Sequence, residues 1–281
     1  MQTNHLRICA GIVTYNPDPA RLKENYDQIK KQVECVVFCD NGSDNTGEII
    51  SLAAKDDVFI PLKENKGIAA ALNQLCSYAY EKGYDWILTL DQDSVCPDLL
   101  VERLCMHCGD DVAVVGPRII YKGNEQYSAQ YVKDIEDVDW VITSGSLTST
   151  KAWKAIGGFD EELFIDKVDT DYGFRANAEG YKIRRDNTVL LNHELGRMHC
   201  VLLFGRTIYV THHNPMRIYY QCRNTVYLGT KLGLKHAGME TGKIIAKILL
   251  FENQKIRKLK SAAKGIHDGR NLCRHYKRLN V

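Results

Sequence analysis

The sequence predicts an α/β fold: a Rossmann-like, mostly parallel central sheet flanked by helices, followed by a basic helical extension at the C-terminus. Three observations predict it. Short continuous apolar runs alternate with segments of helical spacing through the first half of the chain. Polar clusters follow the first, second and fourth of these runs, where ligands bind in open α/β sheets. The charge is also divided. Residues 243–281 carry eleven Lys or Arg against two acids, a balance of +9, so with +2 overall the first 242 residues sum to −7.

The apolar runs 8–14 (ICAGIVT), 35–40 (CVVFCD), 58–62, 86–90 (WILTL) and 112–116 (VAVVG) each end at turn residues. Continuous runs of this length fit strands buried on both faces. Between them, 19–31, 46–54, 67–81 and 97–108 have helical spacing. After an irregular excursion, 140–143 reads as a strand and 151–156 as a short helix ended by Gly157-Gly158. Residues 169–178 read as a helix with acids in its first turn, 181–185 and 188–192 as strands, and 215–233 and 238–257 as helices. The main domain is expected over 1–235, in two parts that divide at about 117, with the basic extension over 236–281.

A chain of 281 residues with 44% hydrophobic and 26% charged residues supports an ordinary core. No apolar run approaches the ~18–20 residues of a membrane span, and the start lacks a basic segment with a long apolar core, so a cytoplasmic protein is expected. The ten cysteines are scattered through apolar stretches and read as reduced, mostly buried thiols. Cys105-x-x-Cys108 has no second pair at zinc spacing and reads as part of an amphipathic helix. There is no G-x-G-x-x-G and no P-loop lysine motif, which disfavours dinucleotide enzymes and P-loop NTPases.

Four clusters carry chemistry. Asp91-Gln92-Asp93 follows an apolar strand, and carboxylates at i and i+2 there can share one hard cation, Mg2+ or Mn2+. The plain alternative is a solvated acidic loop. Asp40, with Asn41-Gly42-Ser43, stands where an acid commonly meets a nucleoside; an Asx turn is the alternative. Thr14-Tyr15-Asn16-Pro17 offers backbone groups and a ring to a base, or is a strand-ending turn. Asn65 and Gly67 open a helix of small residues, Ile68-Ala69-Ala70-Ala71-Leu72-Asn73, which permits close packing or close ligand approach.

Together these motifs resemble the inverting family 2 glycosyltransferases. Val13–Pro17 is similar to the family's first-strand motif, Asp40–Ser43 to its base-binding acid, 65–73 to its N-x-G-x-A-x-A-x-N helix and Asp91-Gln92-Asp93 to its D-x-D. Gly157-Gly158-Phe159-Asp160-Glu161 resembles its G-G-F-D-E segment, and the resemblance covers roughly residues 8–225. Within the family, Phe164-Ile165-Asp166-Lys167-Val168-Asp169-Thr170-Asp171-Tyr172, His193-Glu194-Leu195-Gly196 and Pro215-Met216-Arg217 through Arg223-Asn224 look like bacterial rhamnosyltransferases. Most of the family has Glu-Asp where this chain has Val168-Asp169.

The resemblance implies a GT-A fold and a metal-dependent inverting transfer, with Asp169 as general base and Asp171 as second candidate. Asp171 can instead pair with Arg175 at i+4. Asp91, Asp93 and His193 are implied as the site of Mn2+ or Mg2+. Thr14, Tyr15, Asn16, Asp40, Asn65, Gly67 and Asp91 are implied nucleotide contacts, and Arg217 and Arg223 are expected to clamp the diphosphate, or to be paired with acids. Ser144, Gly145, Trp153 and Asp166 are expected at the sugar or acceptor pocket, with Trp153 also a candidate for the core. The implied donor is dTDP-L-rhamnose and the acceptor a surface polysaccharide or lipid-linked glycan. The alternatives are a UDP-hexose donor, a non-catalytic nucleotide-sugar-binding scaffold and a metal-dependent phosphotransferase. The tail over 243–281 mixes apolar and basic residues, which suits an anionic membrane surface at the inner face of the plasma membrane. Packing on the catalytic domain or on a second subunit, as in a homodimer, is the alternative. Nucleic acid is disfavoured, since the tail has no organised aromatic platform.

Overall fold

The structure is a computed structural model that describes residues 6–121, 133–193, 199–203, 206–234 and 236–279. The chain divides into two compact units. Unit 1 is Met1–Glu162 with Val168–Glu194; unit 2 is Leu163–Lys167 with Leu195–Val281.

Unit 1 holds strands β1 (Ile8–Thr14), β2 (Val36–Asp40), β3 (Val58–Pro61), β4 (Trp86–Asp91), β5 (Val112–Tyr121), β6 (Ile135–Val138), β7 (Ser146–Ser149) and β8 (Lys182–His193). They form one sheet in the order β3-β2-β1-β4-β7-β5-β8-β6. β1 lies in parallel between β2 and β4, and β5 runs parallel to β8. β7 is antiparallel to both β4 and β5, and β6 is antiparallel to β8. The helices are α1 (Pro19–Lys30), α2 (Thr46–Leu52), α3 (Ile68–Glu81), α4 (Leu100–Cys105), α5 (Thr150–Ile156) and α6 (Val168–Ala178). The core is built on Ile12, Phe38, Leu88 and Val115 of the strands with Leu22, Ile29 and Leu100 of the helices. Burial of β1 and β2 nearly throughout explains why their sequences read as unbroken apolar runs. Of the nine cysteines whose side chains are described, seven are buried, and all nine are free thiols.

Local chemistry sets the helix starts. Asp18 caps α1 by accepting from the Arg21 N–H, and Pro19 occupies the first turn, where its missing N–H costs nothing. Ser149 caps α5, and Gly157 ends it in the left-handed conformation.

Unit 2 contains a hairpin of β9 (His199–Leu203) and β10 (Arg206–Val210), and helices α7 (Pro215–Lys231), α8 (Ala237–Phe251) and α9 (Lys255–Leu279). Ile218 and Cys222 of α7 pack with Ile248 of α8 and Ala262 of α9. No helix among the described residues is long and apolar enough to cross a membrane.

Four expectations are corrected. Residues 140–143 do not form a strand: the Asp139 carbonyl is taken by Asn177 Nδ2 and the Thr143 N–H by Asp169, so side chains replace a ladder. The strand of that region is β7 instead. The two strands at 181–192 are one, β8, with a register shift opposite Pro117/Arg118; there the Asp186 carboxylate accepts from the Thr188 N–H and hydroxyl. The helix expected over 238–257 is broken between Phe251 and Lys255, where Gln254 has φ 51° and Glu252 turns inward to bond Lys258. The helix expected over 97–108 shortens to α4, preceded by Leu99 at φ 60°.

Candidate functional site

The register of the parallel strands sets the site. Thr14 stands beside Asp40 and Val13 beside Asp91, so the loops after β1, β2 and β4 leave the same edge of the sheet. Side chains then tie the loops together. The Tyr15 N–H donates to Gln92 Oε1 at 2.8 Å, joining the first loop to the Asp91-Gln92-Asp93 turn. The Asn16 N–H donates to Ser43 Oγ at 2.8 Å, and the Asp44 N–H donates to Asn16 Oδ1 at 2.7 Å, joining it to the second. Asn16 itself has φ 45° and Tyr15 is exposed.

Asp40 is the hub of this edge. Only 1% exposed, its carboxylate accepts from Thr14 Oγ1 at 3.0 Å, from the Ser43 N–H and hydroxyl, and from Thr46 Oγ1 at 2.9 Å. The carboxylate thus bonds its own backbone three residues on, at Ser43, and through Thr46 it also anchors α2. Asn41 extends the network: its Nδ2 donates to the Gly67 carbonyl and its Oδ1 accepts from the Lys66 N–H. Asn65 Oδ1 accepts from the Gly67 N–H at 3.0 Å, which shapes the entry to α3.

The Asp91-Gln92-Asp93 turn is held from below by α1. Asn25 Nδ2 donates to the Asp91 carbonyl at 2.8 Å and Arg21 Nε to the Asp93 carbonyl at 3.0 Å. Its backbone is thereby fixed while the Asp93 side chain stays exposed and that of Asp91 half-buried. From the other side, Ser144 Oγ accepts from the Asp91 N–H at 3.0 Å, and the Gly145 N–H donates to the Thr89 carbonyl at 2.7 Å.

The neighbouring residue reaches the acidic helix. The Thr143 N–H donates to Asp169 Oδ1 at 3.0 Å, and Thr89 Oγ1 donates to the Thr143 carbonyl. Asp169 is half-buried and lines a small cavity of about 10 Å³ with Thr143, Thr148 and Tyr172. Burial pushes the Tyr172 hydroxyl well above its ordinary value, so it stays protonated across the working range. Asp171, two residues on, has a different setting. It is 0% exposed and its Oδ2 accepts from Arg175 Nε at 2.8 Å. Arg175 also donates to the carbonyls of Ile156 and Gly158.

Asn73 closes the Gly157-Gly158-Phe159 segment onto α3. Its Oδ1 accepts from Trp153 Nε1 at 3.1 Å and the Phe159 N–H at 2.8 Å; its Nδ2 donates to the Phe159 carbonyl and Glu161 Oε1. Gly158 sits at φ +76°, and a Cβ there would fall 2.8 Å from Asn73 Oδ1. Trp153 is accordingly a buried partner of Asn73. Asn73→Ala is expected to cost about 3 kcal/mol, because four bonds vanish and two donors lose their acceptor. Urea unfolding measures it, and a loss under 0.5 kcal/mol would contradict the clamp.

Within unit 2, Arg217 makes a forked pair with Asp166, Nε at 3.3 Å and Nη2 at 3.1 Å. Asp166 and Lys167 have φ 66° and 69°, and Asn224 Nδ2 secures that strained turn through the Ile165 and Asp166 carbonyls. Arg223 bonds Asn224 Oδ1 and stacks over the Tyr220 ring. Burial, with Arg217 nearby, pushes His213 down to about 4, so it is neutral near pH 7. The backbone of His193 ends β8; its side chain, and Glu194 to Gly196, lie outside the described residues.

The structure thus brings Thr14, Tyr15, Asn16, Asp40, Asn65, Gly67, Asp91, Asp93, Ser144, Gly145 and Asp169 into one hydrogen-bonded framework. Sequence reading missed the roles of Gln92, Thr143, Asn25 and Arg21. Gln92 carried a signal, as the residue inside an acidic pair; Thr143 acts through its backbone and carried none.

The sequence profile described as Glycosyl transferase family 2 matches residues 9–172. The dTDP-rhamnosyl transferase RfbF of Shigella flexneri is 30% identical over 237 residues, which is 79% of this chain and 79% of that one. Among solved structures, GalNAc-T7 with UDP, GalNAc and Mn2+ aligns with a TM-score of 0.60 at 13% identity, over 82% of this chain and 51% of that one. Staphylococcus aureus TarS 1–349 aligns at 0.51 and 13%, over 96% and 73%. At this identity the structural likenesses speak for the fold.

Proposed function

Because the chain belongs to glycosyltransferase family 2 and has a GT-A-like fold, we propose that it transfers L-rhamnose from dTDP-L-rhamnose to a lipid-linked or surface glycan, with inversion and with Asp169 as base. The observation that carries the reading is the dipeptide Thr143-Ser144. The Thr143 N–H orients the Asp169 carboxylate, and the Ser144 hydroxyl holds the strand end that carries Asp91. A proton acceptor and a nucleotide-side acid thus hang from one rigid piece of backbone, which is the preorganisation that such a transfer needs.

The acceptor hydroxyl attacks the anomeric carbon, its proton passes to an Asp169 oxygen, and the bond to the nucleoside diphosphate breaks on the opposite face. Asp169 is favoured over Asp171 because it is half-buried and accepts from the Thr143 N–H, whereas Asp171 is fully buried and paired with Arg175. The dTDP-L-rhamnose assignment is supported by the name and coverage of the Shigella relative.

Asp91 and Asp93 fit a divalent cation by their chemistry: hard carboxylate oxygens on a braced turn, one of them exposed. Among the described residues no three His, Cys, Asp or Glu cluster as a closed metal site. Mn2+ and Mg2+ take one or two carboxylates and complete their shells with substrate phosphates, and His193 is the further ligand that the family resemblance implies. What a bound ion supplies is neutralisation of charge on the leaving diphosphate. Asp40 serves the nucleotide side by holding the loops after β1 and β2.

Isothermal titration of dTDP and UDP, each with Mn2+ and with EDTA, tests the reading. We expect Mn2+-dependent binding of dTDP in preference to UDP, weakened at least tenfold in Asp93→Ala. A preference for UDP would overturn the donor, and binding indifferent to EDTA would overturn the metal site.

A further inference from the structure

The break between α8 and α9 creates an elbow with unusual chemistry. Leu249 and Leu250, in the last turn of α8, are 51% and 61% exposed, and Ile256, in the first turn of α9, is 73% exposed. Three large aliphatic side chains thus stand exposed on the two sides of the break. The outward stripe of α8 continues from it: Met239, Lys243, Ala246, Lys247 and Leu250 are all exposed and recur at i, i+4, i+7, i+8 and i+11.

The charges around the elbow have a single sign. Lys243, Lys247, Lys255, Arg257 and Lys260 are all exposed. Between Thr241 and His267 the only acid is Glu252, and it is buried. Glu252 turns inward, where it bonds Lys258 Nζ at 2.6 Å and His212 Nδ1 at 3.0 Å. The buried pair therefore removes one cation and the one anion of this span from the surface; of the six cations left outward, Lys264 pairs with Asp268, and the other five are those just named. The fold also fixes the elbow: Lys255 Nζ donates to the Leu249 carbonyl at 2.7 Å and so closes the end of α8.

From this we propose that the α8–α9 elbow docks on an anionic lipid surface, with Leu249, Leu250 and Ile256 entering the interface and the five cations meeting lipid headgroups. Neither signal is strong alone. Three aliphatic side chains give marginal, reversible partition, and cations alone give salt-sensitive adsorption; together they make the two-signal pattern of a peripheral anchor. A nucleic-acid partner would use the cations but leave three aliphatic side chains in water. A second copy would have to bring a matching acidic rim.

The test needs no sugar donor, so it stands or falls apart from the rhamnosyl reading. The full chain is co-sedimented with vesicles of phosphatidylcholine, and of phosphatidylcholine with a quarter phosphatidylglycerol, at 0.1 and 0.5 M NaCl. Binding is expected only to the anionic vesicles, and to weaken several-fold at high salt. The triple variant Leu249→Ser, Leu250→Ser, Ile256→Ser should lower partition at least tenfold with its charges intact. A second variant, Lys247→Gln, Arg257→Gln, Lys260→Gln, should lower it comparably with the apolar tip and the Lys255 bond intact. All of these side chains are exposed, so both variants should keep the melting temperature of the parent. Absence of binding to anionic vesicles overturns the proposal. So does equal binding by the triple serine variant, or a dimer in sedimentation velocity that only that variant dissolves without any vesicle binding by the parent.

Discussion

Asp169→Asn is expected to lower the transfer rate by about 10²–10⁴-fold, the range that a general base contributes, while dTDP binding stays within about twofold. The substitution is nearly silent for the fold. The asparagine Oδ1 can still accept from the Thr143 N–H, the bond that orients the native carboxylate. What disappears is the capacity to take a proton from the acceptor hydroxyl. Initial rates at saturating donor, with dTDP titration on the same preparation, separate these two effects. Retention of more than a tenth of the parent rate would overturn the assignment of Asp169.

Arg175→Met is expected to destabilise the fold by about 3–5 kcal/mol, the range for breaking a buried ion pair by removing one partner. Asp171 is fully buried, and Arg175 reaches it at 2.8 Å while also bonding the Ile156 and Gly158 carbonyls. Methionine keeps most of the side-chain bulk, so the loss reads electrostatics and hydrogen bonds rather than a cavity. A carboxylate remains in the core without its guanidinium, and the turn after α5 loses two donors. The shift in urea midpoint at constant slope gives the figure. A loss below 1 kcal/mol would mean that the pair is dispensable. The two substitutions also part the roles of neighbouring acids on α6: one should remove chemistry at nearly full stability, the other stability ahead of chemistry.

Those roles could not be separated from the sequence. Asp169 and Asp171 stand two residues apart in the first turn of one helix, both matched by the same motif. What distinguishes them is a backbone N–H donated from residue 143 in one case and complete burial beside Arg175 in the other. The Arg175 pairing at i+4 was readable as an option, since local spacing permits it. The approach of Thr143 was not, because 26 residues intervene and the donor is main chain. Asn73 is similar. Its place in a motif was visible, while its four bonds to Trp153, Phe159 and Glu161 span 80 to 88 residues.

The parallel half of the sheet and the loops that carry the site were legible in the apolar runs and the polar clusters that end them. Strands buried on both faces must be continuously apolar, and the polar clusters that follow them can only lie at the sheet edge. The family was legible too, since several motifs in one order constrain more than any one of them. The antiparallel insertion of β7, the single bulged β8, the break between α8 and α9, and the hairpin of β9 and β10 emerge in the folded chain alone. Each depends on partners remote in sequence. The α8–α9 break is the plainest case. The sequence reading carries one helix to 257, and the break falls at Glu252, which turns inward to a buried lysine and to His212, forty residues away. Periodicity reports which side of an element meets the core; it carries no information on which distant group will satisfy a buried charge.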